Sequence, residues 1–154
     1  MLKNVSNTLV IMIGTMLASF AVTVIAGRTL SVSDFGEFAL LKQIILIGST
    51  IAIFGLDYSY IKLFPKWPNA DGKTHALTMG ILVLLSLIIV SILKITYHFE
   101  TDKLGYILIS ICFGAMNLYQ AAISRLQGKF IVAQLLAGGW KIALLILIGI
   151  CVYS

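Results

Sequence analysis

Long apolar segments separated by short polar links make up almost the whole chain. Each segment has about 20 residues or more, which is the length that an α-helix needs to cross about 30 Å of hydrocarbon. The pattern predicts transmembrane helices over residues 8–27, 38–64, 75–97, 104–124 and 130–153. We therefore predict an all-α fold, a polytopic transmembrane helical bundle of about five helices that forms a single domain over residues 1–154.

Local signals mark several of the helix ends. Ser31 or Ser33 can cap the second helix, with Asp34 favourably placed near its positive end. Pro65 and Pro68 end that helix, because proline removes a backbone donor and blocks the preceding turn. The last segment, 130–153, is interrupted by a lysine and crosses the membrane only if that charge is tolerated mid-helix.

Composition excludes a soluble domain. Charged residues are 11% of the chain and hydrophobic residues 60%, whereas soluble domains carry about 25% charged residues. The net charge is +5, but the 11 Lys and Arg residues are scattered at the ends of apolar segments. Nucleic-acid binding needs them clustered on one face, so no nucleic-acid partner is predicted. Their unequal distribution between the two sides of the bundle predicts a cytoplasmic N-terminus.

Polar residues inside the apolar segments hold the remaining information, since they are costly in lipid. Helix 104–124 places small and polar residues on one face, with Gln120 beside it: Ser110, Gly114, Asn117, Ala121 and Ser124. Similar faces occur on helix 8–27, on helix 38–64 (Gln43, Thr50, Asp57) and on helix 130–153. Either these faces pack helix against helix, or they line a polar cavity between helices.

Three charged residues within the segments have competing interpretations. Asp57 either reaches the cytoplasmic interface, where it can pair with Lys62 or Lys66, or faces the cavity. Lys42 lies one turn inside its predicted helix and either snorkels to the interface, the favoured interpretation, or faces the substrate path. Lys141 falls near the centre of the last segment, where a lysine costs about 2.5–3.5 kcal/mol in lipid. It should face protein or water, and in a cavity it would attract phosphate or another anion.

No enzymatic site is predicted. His75 and His98 fall in loops on opposite sides of the predicted topology and cannot share a metal ion. Cys112 and Cys151 both lie within apolar segments, which disfavours a disulfide or a metal site. The six acidic residues are dispersed, and the sequence has no glycine-rich phosphate loop. We therefore predict no catalytic residues, no metal and no cofactor.

Three stretches resemble one family of membrane proteins. Residues 26–40, AGRTLSVSDFGEFAL, resemble the junction between the first two helices of bacterial polysaccharide exporters. Phe54-Gly55-Leu56 with Lys62 is similar to the end of their second helix, and residues 125–130, RLQGKF, resemble the turn between their fourth and fifth helices. The chain thus resembles the oligosaccharide flippases of O-antigen and capsule pathways, within the multidrug/oligosaccharidyl-lipid/polysaccharide exporter superfamily.

This resemblance implies a transport function. A flippase of this family moves an undecaprenyl-pyrophosphate-linked oligosaccharide across the bacterial inner membrane, with membrane lipid and other polysaccharide-assembly proteins as partners. Family members have twelve or more helices in two lobes, so we expect this chain to be most of the first lobe, without a complete substrate path. The residues expected along the path are Arg28, Lys42, Asp57, Asn117, Gln120 and Lys141. Of these, Arg28 matches the family's arginine at the end of the first helix.

Two other functions remain open at this point. A multidrug or cation-coupled exporter of the same superfamily would favour an acidic residue deep in the first helix, and that helix has none. A small membrane protein that oligomerises or acts as a scaffold, without transport of its own, would need no substrate path.

Overall fold

The computed structural model describes residues 2–63, 72–97, 101–139 and 141. Over these residues the fold is all-α, as predicted. Its elements are α1 (Leu2–Thr29), α2 (Val32–Ile53), α3 (Leu56–Leu63), α4 (Gly72–Tyr97), α5 (Thr101–Leu126) and a further apolar helix, Phe130–Gly139. The predicted fifth crossing over 130–153 lies mostly outside the described residues.

The long helices have the apolar outer surfaces of membrane-spanning helices. Within the described residues, four stretches are long and apolar enough to cross a membrane: Ser6–Thr29, Val32–Tyr60, Thr74–Tyr97 and Lys103–Leu126. The most apolar stretch of α4 is only 11% buried inside the bundle, so most of its aliphatic side chains face outward. Such a surface would be unstable in water and is normal where the solvent is hydrocarbon. The chain is a multi-pass membrane protein.

The second helix differs from its predicted form at both ends. It begins at Val32 rather than at residue 38, because Ser31 caps it by accepting a hydrogen bond from the Asp34 backbone N–H at 3.2 Å. It then ends at Ile53, so the single helix predicted over 38–64 is in fact α2 followed by α3. Phe54 and Gly55 separate the two, with positive φ angles of 42° and 73° that interrupt a right-handed helix.

Helix α5 is the centre of the bundle and packs against α2, α3 and α4. Glycines allow a close approach between α2 and α5: Gly48 faces Ile111, and Gly114 faces Ser49. Ile111 is fully buried at this contact. Small residues are expected here, because transmembrane helices associate through close packing rather than through the exclusion of water.

Candidate functional site

A cleft of about 430 Å³ opens between α1, α2, α5 and helix Phe130–Gly139. Most of its lining is apolar. Its polar and charged side chains are Ser19, Lys42, Ser49, Ser110, Asn117 and Lys141. The cleft therefore combines an apolar wall with a few polar groups and two cations, in a volume typical of small-ligand sites.

The ammonium group of Lys42 points across the cleft towards α1. Its Nζ donates a hydrogen bond to Thr23 Oγ1 at 3.1 Å, and the Thr23 hydroxyl in turn donates to the Ser19 backbone carbonyl at 2.9 Å. Because the Thr23 proton is already committed to that carbonyl, the hydroxyl oxygen is oriented to accept from lysine. A lysine ammonium has three N–H donors, and within the described part of the chain only Thr23 takes one of them.

The structure removes the premise of the snorkelling interpretation of Lys42, which is its closeness to the start of the helix. It rested on a helix that begins at residue 38, whereas α2 begins at Val32, ten residues earlier than Lys42. At 1.5 Å per residue this places Lys42 about 15 Å along the helix from its first residue. The half-buried side chain bonds to a residue inside α1, not to groups at the helix end.

Lys141 lines the same cleft from the fourth side, next to Leu136 and Ala137. Its segment is anchored against α1, because the small Gly138 lets the backbone approach Thr15: a Cβ at Gly138 would lie 3.1 Å from Thr15 Cγ2. No acidic residue lines the cleft among the described residues. Lys42 and Lys141 thus bring two positive charges to one lining, and its apolar walls strengthen their field by excluding solvent.

The polar face of α5 supplies the floor of the cleft. Ser110, Gly114 and Asn117 all line it, as expected if the stripe faces a cavity. Part of the same stripe also packs helices: Gly114 lies against Ser49, whose hydroxyl bonds to the Ile45 carbonyl at 2.7 Å and the Ile111 carbonyl at 3.3 Å. The polar face of α5 therefore does both things: some of its atoms line the cleft, and others pack α5 against α2.

The structure does not bring the other three candidates to the cleft. Arg28 is exposed at the end of α1, and Gln120 is exposed on α5. Asp57 lies in the first turn of α3, half-buried, beyond the break at Phe54 and Gly55, and forms no ion pair among the described residues. Since that break removes Asp57 from α2, the predicted face of Gln43, Thr50 and Asp57 does not exist as one stripe, and both Gln43 and Thr50 are exposed.

A second polar cluster, which the sequence did not predict, joins three helices. His75 lies in α4, within the helix predicted over 75–97, and its Nε2 is 3.3 Å from the Tyr60 hydroxyl of α3. Its Nδ1 is 3.1 Å from the hydroxyl of Tyr119 on α5, a side chain with no exposed surface. These partners are 15 and 44 residues from His75 along the chain, so no local pattern could identify them.

The geometry of the cleft suits an anionic group attached to an apolar one. No side-chain cluster with three or more potential metal ligands occurs among the described residues. Comparisons of this chain with protein-family models, with curated proteins and with solved structures found no match.

Proposed function

We propose that this chain forms part of a flippase that translocates a lipid-linked oligosaccharide across the bacterial cytoplasmic membrane. The observation that supports the proposal is the cleft between the membrane helices, with Lys42 and Lys141 in its lining. A pyrophosphate that joins a polyprenyl chain to a sugar needs cationic partners on one side and an apolar wall on the other.

The arrangement of the cleft fits the three parts of such a substrate. Lys42 and Lys141 offer charge-assisted hydrogen bonds to phosphate oxygens. Asn117 and Ser110 on α5 can donate to and accept from sugar hydroxyls. The apolar lining from α2 matches a polyprenyl chain. A simple membrane anchor or scaffold needs none of these groups in one cleft.

The proposal is tested by replacing each lysine in the protein as it occurs in its cells. Lys42→Gln and Lys141→Gln keep a polar side chain of similar length but remove the charge. A hydrogen bond to a charged group is worth about 1.5–3 kcal/mol, so each substitution should lower substrate affinity roughly tenfold or more. We expect less surface polysaccharide, together with accumulation of the lipid-linked precursor facing the cytoplasm.

Lys94→Gln is the matched control, since Lys94 is exposed in the last turn of α4 and does not line the cleft. This variant should leave surface polysaccharide unchanged. Membrane levels of all three variants are measured by immunoblot of the membrane fraction. Normal polysaccharide with Lys42→Gln and Lys141→Gln, at normal membrane levels, would refute the transport proposal.

A further inference from the structure

The break between α2 and α3 has the backbone geometry of a pivot. Phe54 adopts the left-handed conformation, which an aromatic residue rarely takes, and its side chain is 79% exposed. The Phe54 N–H bonds to the Ile51 carbonyl at 3.0 Å and closes α2. Gly55 follows with a positive φ and open space where a Cβ would be, and its carbonyl accepts from the Ser59 N–H at 2.9 Å at the start of α3.

Beyond this pivot, α3 is held to the bundle by the cluster of Tyr60, His75 and Tyr119, which we call the clasp. The three rings lie against one another, with centroids 5.5 Å apart for Tyr60 and His75 and 5.6 Å apart for Tyr60 and Tyr119. The Tyr60–Tyr119 contact is edge-to-face, the favourable arrangement for aromatic pairs. The clasp thus ties α3 to both α4 and α5.

The hydrogen bonds of the clasp can form a single directed chain. The His75 ring has one nitrogen facing each tyrosine hydroxyl, so a neutral imidazole donates to one hydroxyl and accepts from the other. In one tautomer Nδ1–H donates to Tyr119 and Nε2 accepts from the Tyr60 hydroxyl, and in the other tautomer both directions are reversed. In either tautomer both ring nitrogens of His75 have a hydrogen-bond partner, as a partly buried polar ring requires.

We propose that α3 is a hinged segment, pivoting at Phe54 and Gly55, and that the clasp is the latch that keeps it closed on α4 and α5. The latch shares α5 with the cleft, because Tyr119 follows Asn117 and Leu118 of the cleft lining. Opening of α3 therefore removes a packing partner from the helix that forms the cleft floor. This inference does not depend on what the cleft binds.

Distance measurement between spin labels tests the latch. Labels at Tyr58→Cys on α3 and Leu77→Cys on α4 stand on exposed positions, 70% and 68% exposed. The native thiols are removed by Cys112→Ser and Cys151→Ser. The purified protein in lipid nanodiscs should give one narrow distribution of distances between the two labels. Tyr60→Phe should add a second population at a longer distance, several-fold above the background signal.

The double-mutant cycle with His75→Phe assigns the effect to the bond between the two side chains. If the latch acts through the Tyr60–His75 bond, the double variant opens no further than either single variant. Tyr106→Phe is the control, because Tyr106 is 74% exposed on α5 and lies outside the clasp. Unchanged distances with Tyr60→Phe, or equal changes with Tyr106→Phe, would overturn the latch.

Hydrogen exchange on the unsubstituted protein gives an independent answer that needs no variant. A hinged segment should exchange its backbone amides over Leu56–Leu63 as one block, ahead of those in α2 and α5. Exchange of α3 at the same rate as α2 would show that the segment is not hinged, whatever the variants do.

Discussion

The contact between Gly114 and Ser49 gives the sharpest prediction about stability. A Cβ added at Gly114 would overlap the Ser49 hydroxyl and lie 3.0 Å from Ser49 Cβ. Ser49 is only 4% exposed, and its hydroxyl already bonds to two backbone carbonyls. Gly114→Ala must therefore separate α2 from α5 or turn the Ser49 hydroxyl away from its acceptors.

The cost follows from what overpacking does in other proteins. Adding a methyl group to a closely packed contact typically costs about 1–3 kcal/mol. Alanine is favoured over glycine in a helix by about 1 kcal/mol, which hides part of this cost. Gly105→Ala corrects for that preference, because Gly105 is in the same helix and has no atom within 4 Å of where its Cβ would be. Gly114→Ala should be about 1–3 kcal/mol less stable than Gly105→Ala.

The assay is reversible unfolding in mixed micelles, followed by far-UV circular dichroism as the fraction of denaturing detergent rises. A difference of about 2 kcal/mol corresponds to roughly a thirtyfold change in the unfolding equilibrium constant. Ser49→Gly combined with Gly114→Ala should recover much of the loss, because it removes the atoms that clash. Equal stability of Gly114→Ala and Gly105→Ala would refute the close approach of α2 and α5.

Two further predictions concern the ends of α2. Glu37→Gln removes the ion pair in which Lys103 Nζ lies 2.6 Å from Glu37 Oε1. Because both side chains are nearly half exposed, the free energy of unfolding should fall by no more than about 1 kcal/mol, and by less at high salt. Gly55→Ala should lower the free energy of unfolding by about 1–2 kcal/mol, because φ at Gly55 is +73°. Gly36→Ala is the control and should not lower it, since Gly36 is also free of close neighbours but has no positive φ. Equal effects of the two alanine substitutions would contradict the left-handed break.

The helices that hydropathy located best are those with one continuous apolar run. Predictions over 75–97 and 104–124 agree with α4 and α5 to within a few residues, because their ends coincide with changes from apolar to polar sequence. Hydropathy does not reveal the break after Ile53, because no change from apolar to polar sequence occurs there. Phe54, Gly55 and Leu56 are themselves apolar or neutral, so the interruption is a matter of backbone angles rather than polarity.

Lys42 shows how the predicted start of a helix affects the interpretation of a charged residue within it. The sequence offers Ser31 as a cap, but hydropathy places the start of the helix at residue 38, because polar residues follow Ser31. From that start Lys42 seemed close to the interface. The structure extends α2 back to Val32 and directs the ammonium to Thr23, a residue of another helix that no local pattern connects to it.

The clasp was beyond the reach of sequence reasoning for a related reason. Tyr60, His75 and Tyr119 belong to three helices, and each alone is an ordinary residue near the end of an apolar segment. What could have drawn attention is the histidine, since a polar ring in a membrane helix needs hydrogen-bond partners from its neighbours. The identity of those partners depends on how the helices pack.

Direct binding to the cleft is the measurement that tests the central claim most closely. Purified protein in nanodiscs is titrated with undecaprenyl pyrophosphate and with uncharged undecaprenol, and bound lipid is counted by native mass spectrometry. If Lys42 and Lys141 hold an anionic head group, the pyrophosphate should bind preferentially, and Lys42→Gln should weaken it roughly tenfold while leaving undecaprenol unaffected. Equal binding of the charged and uncharged lipids, or no effect of Lys42→Gln, would contradict the account.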